Sequence, residues 1–378
     1  MVRTGLCDYD LLSGRNRSMI STSGKRRKSK LPRSRRKIPT IREIAVKTGL
    51  SIATVSYVFS GARRVPEKTA ARVRAAAENL GYIPNRIARS LRAPNSRIIG
   101  ILVPDIRNPF FPAIMDAIKR HIVPRNYEIL VGSSEERIVE QNTILDSFLQ
   151  YHVAGAIVVS AGSDESAGED LRAFQRRAPI VLVDRDVRRL SCSKVLLGNE
   201  LAARQLVGAL YQSGHRRIGI LAPSIALSIG QERTAGYSKA LHDHGLQARP
   251  EMVFVGDMFP SSGEKAADYF LRMDEKSRPT AILSCSDVMT IGLFRGLAKL
   301  SVRVPRDMSV VSFDDTDYFP FMNPPITCIA QPVERFGWHA AQRLVAEIEK
   351  KTTEPQTIRL NGTLIVRRSV RDISKRRG

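Results

Sequence analysis

From position 40 to about 90 apolar residues recur every three or four residues, while beyond position 97 they gather into short continuous runs. The first spacing predicts helices. Ile41, Ile44 and Ala45 share one face, and Thr40 with Glu43 supplies the S/T-x-x-E pattern in which side chain and backbone satisfy each other's orphan donors. Gly49 breaks the period, and Ser51 can cap a second helix whose apolar positions are Val55, Val58 and Phe59. A third helix is predicted over 65–79, opened by Pro66 and Glu67, with Ala70, Val73, Ala77 and Leu80 closing a small core. Helix, short glycine turn and capped second helix make a helix-turn-helix, a unit that lays its second helix in a DNA major groove.

The later runs predict strands at 98–104, 127–133, 155–161, 180–185, 218–223, 252–257, 281–287 and 309–315. Amphipathic segments at 112–123, 137–150, 200–213, 232–245, 263–274 and 287–300 fall between them as helices. Alternation of this kind implies parallel sheets with helices on both faces, and the length favours two such lobes. The fold expected is an all-α helix-turn-helix domain followed by a doubly wound, two-lobed α/β body.

Charge separates the same two parts. Residues 1–97 carry 23 Lys and Arg against 5 Asp and Glu, while the rest carries 37 against 32. A basic end on a near-neutral body is the electrostatic footprint of a nucleic-acid module joined to something else. Residues 1–39 hold 12 of those basic residues and almost no apolar period, so they are expected to be a disordered extension, either an electrostatic arm on DNA or residues upstream of a true start at Met19. No run approaches the ~20 apolar residues of a membrane span, and the basic N-terminus lacks the apolar core of a secretory signal. Cys7, Cys192, Cys285 and Cys328 are widely spaced, as free thiols in a reducing cytoplasm would be.

The stretches IREIAVKTGLSIATVS, VPEKTAARV, LGYIPNRIARSLR, IGILVPDIRNPFF, IVLVDR, SGHRRIGIL, ERTAGYSKAL, CSDVMTIG, VPRDMSVVSFDD and ITCIAQP stand in an order and spacing that resemble the LacI/GalR-type bacterial transcription regulators from about Thr40 to Arg368. The resemblance implies a helix-turn-helix over 40–84, a hinge over 85–96 and a two-lobed body over 97–370 that dimerises and is crossed three times by the chain. A basic tail then follows over 371–378. It also implies a cytoplasmic repressor that binds a pseudo-palindromic operator on double-stranded DNA as a homodimer. A small effector, carbohydrate-like, would lie between the lobes. No cofactor, metal or membrane contact is implied.

On the second helix, burial of Val55, Val58 and Phe59 leaves Ile52, Ala53, Ser56 and Tyr57 facing outward, with Ser51 and Thr54 placed to donate to phosphates. The resemblance makes Ile52, Ala53 and Tyr57 the operator-choosing positions, and adds Thr40 and Arg64 as DNA contacts. Most relatives carry Arg where this chain has Tyr57; Arg reads guanine through two hydrogen bonds and Tyr does not. The run from Tyr82 to Leu91 resembles the family's hinge helix, with Asn85, Arg86, Ala88 and Arg89 at the DNA and Leu91 as the wedge that enters the minor groove.

In open α/β sheets ligands sit beyond the carboxyl ends of the strands. The residues there are Asp105, Asn108, Phe110 and Phe111 after the first strand, Asp184 and Arg185 after the fourth, then Arg233, Asp287 and Gln331. Carboxylates, guanidinium and amide can pair with several hydroxyls, and adjacent aromatics can stack on a ring. The resemblance implies effector contact for all nine. The chain departs from the family at Gln231-Glu232-Arg233, where relatives often have a second arginine, and at Leu197-Gly198-Asn199, where an Asp-Asn pair is common.

Enzyme motifs are missing: no two glycines stand two apart, and there is no phosphate loop or nucleophile elbow. An exported sugar-binding receptor would share the body but needs a signal sequence, and a nonspecific architectural DNA protein has only the charge in its favour. If Leu91 is a wedge, Leu91→Ala weakens operator binding far more than nonspecific binding. Titrations of operator and scrambled DNA at one salt concentration test this, and equal losses on both would rule the wedge out.

Overall fold

The computed structural model describes residues 39–60, 63–82, 96–352 and 354–374, which fall in two compact units divided at Pro84. The extension before Pro39 and the hinge, including Asn85, Arg86, Ala88, Arg89 and Leu91, lie outside the described residues.

The described residues of the first unit form three helices: α1 (Ile41–Thr48), α2 (Ile52–Ser60) and α3 (Glu67–Leu80). The Glu43 carboxylate accepts from the Thr40 N–H at 2.6 Å and completes the capping box. Gly49 closes α1 in the left-handed region at φ 62°, where a Cβ would be strained. Ile44, Val55 and Val73, one from each helix, are wholly buried together, with Ala45, Ala76 and Ala77 around them. Small residues at the contacts let three short helices approach closely. The third helix begins two residues later than the pattern predicted, because Pro66 is its N-cap and not its first turn.

The second unit contains two six-stranded sheets of the same build. The first runs β11-β5-β4-β3-β1-β2 and the second β12-β10-β9-β8-β6-β7. The strands are β1 (Ile98–Val103), β2 (Glu128–Ser133), β3 (Gly155–Val158), β4 (Ile180–Val183), β5 (Ser193–Leu197), β6 (Ile218–Pro223), β7 (Val253–Gly256), β8 (Ala281–Ser284), β9 (Ser309–Phe313), β10 (Thr327–Ala330), β11 (Thr357–Leu360) and β12 (Thr363–Ile365). All pairings are parallel except β10 with β12. The central strands β3, β4, β8 and β9 are buried at every position, as parallel strands covered on both faces must be.

Helices α4 (Phe110–Ile122), α5 (Ile138–Gln150), α6 (Glu165–Gln175) and α11 (Val333–Ile348) flank the first sheet. Helices α7 (Asn199–Gln212), α8 (Ser228–Asp243), α9 (Pro260–Leu271) and α10 (Asp287–Lys299) flank the second. The chain therefore passes between lobes three times, at Gly198, at Gln331-Pro332 and at Asn361-Gly362. The hydrophobic pattern did not yield β5, β10, β11, β12, α6 or α11. The strands among these are three to five residues long, and β11 and β12 lie half exposed at sheet edges, so none leaves a long apolar run. Expected strands also ran past their true ends: β4 stops at Val183 and β9 at Phe313, because Asp184 and Asp314 turn the backbone left-handed at φ 66° and 67°.

Residues 371–374, expected as part of a tail, are stitched to the second lobe. The Arg371 N–H donates to Ser309 Oγ at 3.0 Å, and the Ile373 N–H to the Ser213 carbonyl at 2.8 Å.

Helices α9 and α10 touch through glycines. A methyl at Gly292 would fall on the Pro260 carbonyl oxygen, and one at Gly263 on that of Met289. A methyl at Gly208 in α7 meets nothing within 4 Å. Gly292→Ala is therefore expected to cost about 3 kcal/mol, and Gly208→Ala to be neutral or slightly stabilising. Urea unfolding of both variants checks this; a neutral Gly292→Ala would show that the two helices part freely.

Candidate functional site

Two groups of residues carry the chemistry, one in each unit. In the first, α2 divides cleanly. Val55 is fully buried and Val58 and Phe59 pack on the same core, while Ser51, Ile52 and Ala53 are exposed. Ser56 and Tyr57 are half-buried, with the Arg63 guanidinium 6.0 Å from the Tyr57 ring centre. Ser51 Oγ accepts the Thr54 N–H at 3.0 Å and pairs with Thr54 Oγ1 at 2.8 Å, which caps the helix and fixes both hydroxyls at its positive end. Thr40 and Arg64 are exposed. The described members of the expected DNA face thus lie on one helix, its cap and the neighbouring chain, with an apolar tip made by Ile52, 46% exposed.

In the body, strand ends from both lobes bring a charged cluster together out of water. Asp184, Arg185, Arg233 and Asp287 are all nearly or wholly buried, as is Asp314. Arg185 gives Nη1 and Nη2 to the Glu136 carboxylate at 2.6 and 2.7 Å, and Nη1 also to the Ser160 carbonyl at 3.0 Å. With no exposed surface, it turns both Nη atoms to this work and so holds the β2–α5 loop, where Glu135 and Glu136 are both left-handed, while Nε stands 3.8 Å from Asp184 Oδ2 without a hydrogen bond. Arg233 donates Nε to Asn199 Oδ1 at 2.8 Å and Nη1 to the Cys285 carbonyl at 2.7 Å, and lies 4.2 Å over the Phe313 ring. Asn199 in turn donates to Glu232 Oε2 at 2.9 Å, and Glu232 pairs with Arg359 of the first lobe at 3.1 Å. Gln331 Nε2 reaches Asp314 Oδ1 at 2.5 Å from the crossover.

The remaining expected residues lie apart from this cluster or within the core. Asp105 forms a two-pronged pair with Arg107 at 2.9 and 3.0 Å; although partly buried, its carboxyl is held below the usual range by that partner. Asn108 is buried and its Oδ1 accepts the Phe110 N–H at 3.0 Å, a capping contact. Phe111 is 2% exposed within the main core, and Phe110 packs edge-on to Phe336 at 6.5 Å, so both rings serve packing in this conformation.

Asp314 was missed. It stands in SFDD just past β9, at the position that Asp184 holds past β4, and applying the same strand-end rule to β9 would have found it. Nothing in the pattern pointed to Ser163 and Ser228, which join the lobes: the Ser228 N–H donates to Ser163 Oγ at 2.8 Å, and Ser228 Oγ accepts the Asp186 N–H at 2.9 Å.

Burial sets the protonation of the cluster. It pushes Asp184 up to about 6 against the opposing charges of Arg233 and Arg185. Burial and the charge of Asp314 push Asp287 up to about 7, and burial raises Asp314 against the pull of Arg233 and Gln331. These carboxyls therefore hold protons in the folded chain that the unfolded chain has released. The stability that Asp184 and Asp287 contribute is present below about pH 4 and is lost as pH rises through about 6–7. Asp287→Asn removes its own share of that loss, so its stability relative to the unaltered protein should rise from about pH 5 to pH 8 by on the order of 1–2 kcal/mol. Urea midpoints at the two pH values measure it, and a difference independent of pH would mean that Asp287 titrates normally.

Comparison with known proteins finds the same two parts. Residues 40–85 match the family described as bacterial regulatory proteins, lacI family, and residues 207–370 match the periplasmic binding protein-like domain. The chain is 33% identical over 334 residues to the HTH-type transcriptional repressor PurR of Yersinia enterocolitica serotype O:8 / biotype 1B, covering 88% of this chain and 97% of that one. It also resembles the lac repressor dimer bound to operator and the anti-inducer ONPF, at 27% identity and TM-score 0.76 over 89% of this chain and 100% of the other. A complex of the transcriptional regulator CelR with cellobiose has 28% identity and TM-score 0.66 over 88% and 99%.

Proposed function

The chain belongs to the lacI family of bacterial regulatory proteins, and from that premise we propose that it is a repressor that reads its operator with α2 and answers to a small molecule held between the lobes. The observation that carries this reading is the division of α2, with Val55 locked in the core and Ile52 and Ala53 exposed at the capped end of the helix. Two copies would present two such helices to a pseudo-palindromic site, matching the symmetry of a homodimer. Leu91, entering the minor groove between them, would bend the duplex.

The effector would engage Asp184, Arg233, Asp287 and Gln331, joined by Asp314. Arg185 would act behind them as a positioning residue through Glu136. Asp105 and Asn108 would shape the cleft mouth, and Phe110 and Phe111 would reach a ligand only after side-chain rearrangement. A ligand that prefers one arrangement of the lobes shifts the hinge toward or away from its DNA-bound form, so effector and operator change each other's affinity by the same factor. The protein would act by binding alone, without a cofactor, in the cytoplasm at the chromosome.

Selection of genomic fragments at two salt concentrations tests the reading. Nonspecific phosphate contacts weaken steeply with salt, so an enriched pseudo-palindrome surviving at the higher concentration is expected. Enrichment that disappears with salt would leave only a basic coating protein. The apolar Ile52 and Ala53 favour thymine methyls over guanine. Tyr57→Arg is expected to shift preference at one base pair of each half-site toward guanine by about tenfold or more, with effector binding unchanged. An unchanged fragment spectrum would remove Tyr57 from the reading face.

A further inference from the structure

The charged cluster between the lobes is unbalanced. Glu136 and Arg185 neutralise each other through their two-pronged pair, as do Glu232 and Arg359. What is left is Asp184, Asp287 and Asp314 facing Arg233, three carboxyl groups against one guanidinium, all at least nine-tenths buried, which avoid a net negative charge only by binding protons. The hydrogen-bond deficit falls mainly on acceptors, although the buried Arg185 Nε–H, 3.8 Å from Asp184 Oδ2, also lacks a hydrogen-bond partner. Asp184 Oδ1, Asp287 Oδ2 and Gln331 Oε1 are shielded from solvent and have no donor among the described residues. All three are acceptors, and a buried acceptor without a donor needs an explanation.

Arg233 has little left with which to receive an anion. Nε and Nη1 are committed to Asn199 and the Cys285 carbonyl and its face lies on Phe313, which leaves Nη2 for a ligand. The acceptors, in contrast, come from different places: Asp184 from the first lobe, Asp287 from the second, and Gln331 from a crossover between them. One donor atom cannot satisfy all three, whereas a ligand with several hydroxyls can, and a cationic group on it would offset the surplus carboxylates.

Resting on the reading of this cleft as the effector site, we infer that its ligand is a polyol bearing a protonated amine, and that phosphorylated or carboxylated counterparts of that ligand are rejected. Placing a phosphate or carboxylate beside three buried carboxylates adds like charge where solvent cannot screen it. An amine supplies both the missing donor and the missing charge.

The test uses the full chain and matched sets of glucose, galactose and mannose, each with its 2-amino, 6-phosphate and uronic acid counterparts, read by thermal shift and calorimetry. In at least one set the amino sugar is expected to bind about tenfold or more tighter than its parent, with no saturable binding of the phosphate or uronate up to about 10 mM. A phosphate, uronate or parent sugar that binds as tightly as the amino sugar overturns the inference, and so does a panel in which nothing binds. Asp314→Asn should bring the preference for the amine to within a few-fold of parity, and an unchanged preference overturns it as well. Operator binding by the same preparation, measured in parallel, separates the two failures. If operator selectivity persists while the ligand pattern fails, the ligand class is wrong; if selectivity is also absent, the regulator reading falls.

Discussion

Parallel strands cannot be joined by a tight turn, so each strand of the two sheets must return over a face of its sheet before the next can begin. The flanking helices exist to make those returns, and they bury both faces of β3, β4, β8 and β9. Once all the strands but the edge strand β12 point the same way, their carboxyl ends gather on one edge of each sheet. Two lobes built alike then set two such edges at the same cleft. Asp184 and Asp314 are the clearest product of this arrangement, occupying matching strand ends with the same left-handed backbone.

The cluster at those ends opposes the fold that creates it. Burying several carboxylates beside two guanidiniums costs more than an apolar filling of the same space unless every charge is matched. The chain meets that cost in part. Arg185 is matched by Glu136, and Arg233 is held by Asn199, a carbonyl and an aromatic face, but Asp184 and Asp287 each keep one oxygen without a donor. Protonation relieves some of the excess. Stability surrendered at one place and concentrated in unmatched acceptors is what a site awaiting donors requires.

The helical unit was legible because its signals are local: a capping box at Thr40, a left-handed glycine at Gly49, and apolar positions that all entered one core. The central strands were legible for the same reason, since burial on both faces makes them uniformly apolar. What the pattern hid was set by partners far away in the chain. Strands β11 and β12 hold together through edge pairing with β5 and β10, which four and three partly exposed residues do not announce. Arg185 followed the strand-end rule yet was claimed by Glu136, 49 residues away, and Phe110 and Phe111 were claimed by the core. Spacing places a residue at an edge; only packing decides which neighbour takes it.

The three passages between lobes contain one, two and two residues. Links so short reach at most about 7–10 Å; the Gly198 N–H donates to the Leu360 carbonyl at 2.8 Å, which ties the first to the third, and Ala330 pairs with Thr363, which sets the second beside the third. Three tethers gathered in one place act as a door hinge with several pins. The lobes can swing about that line, but they have almost no freedom to slide or separate. Whatever the cleft holds can therefore be reported elsewhere in the molecule only as an angle, and a swing of a few degrees becomes a larger displacement the farther from the pins it is read.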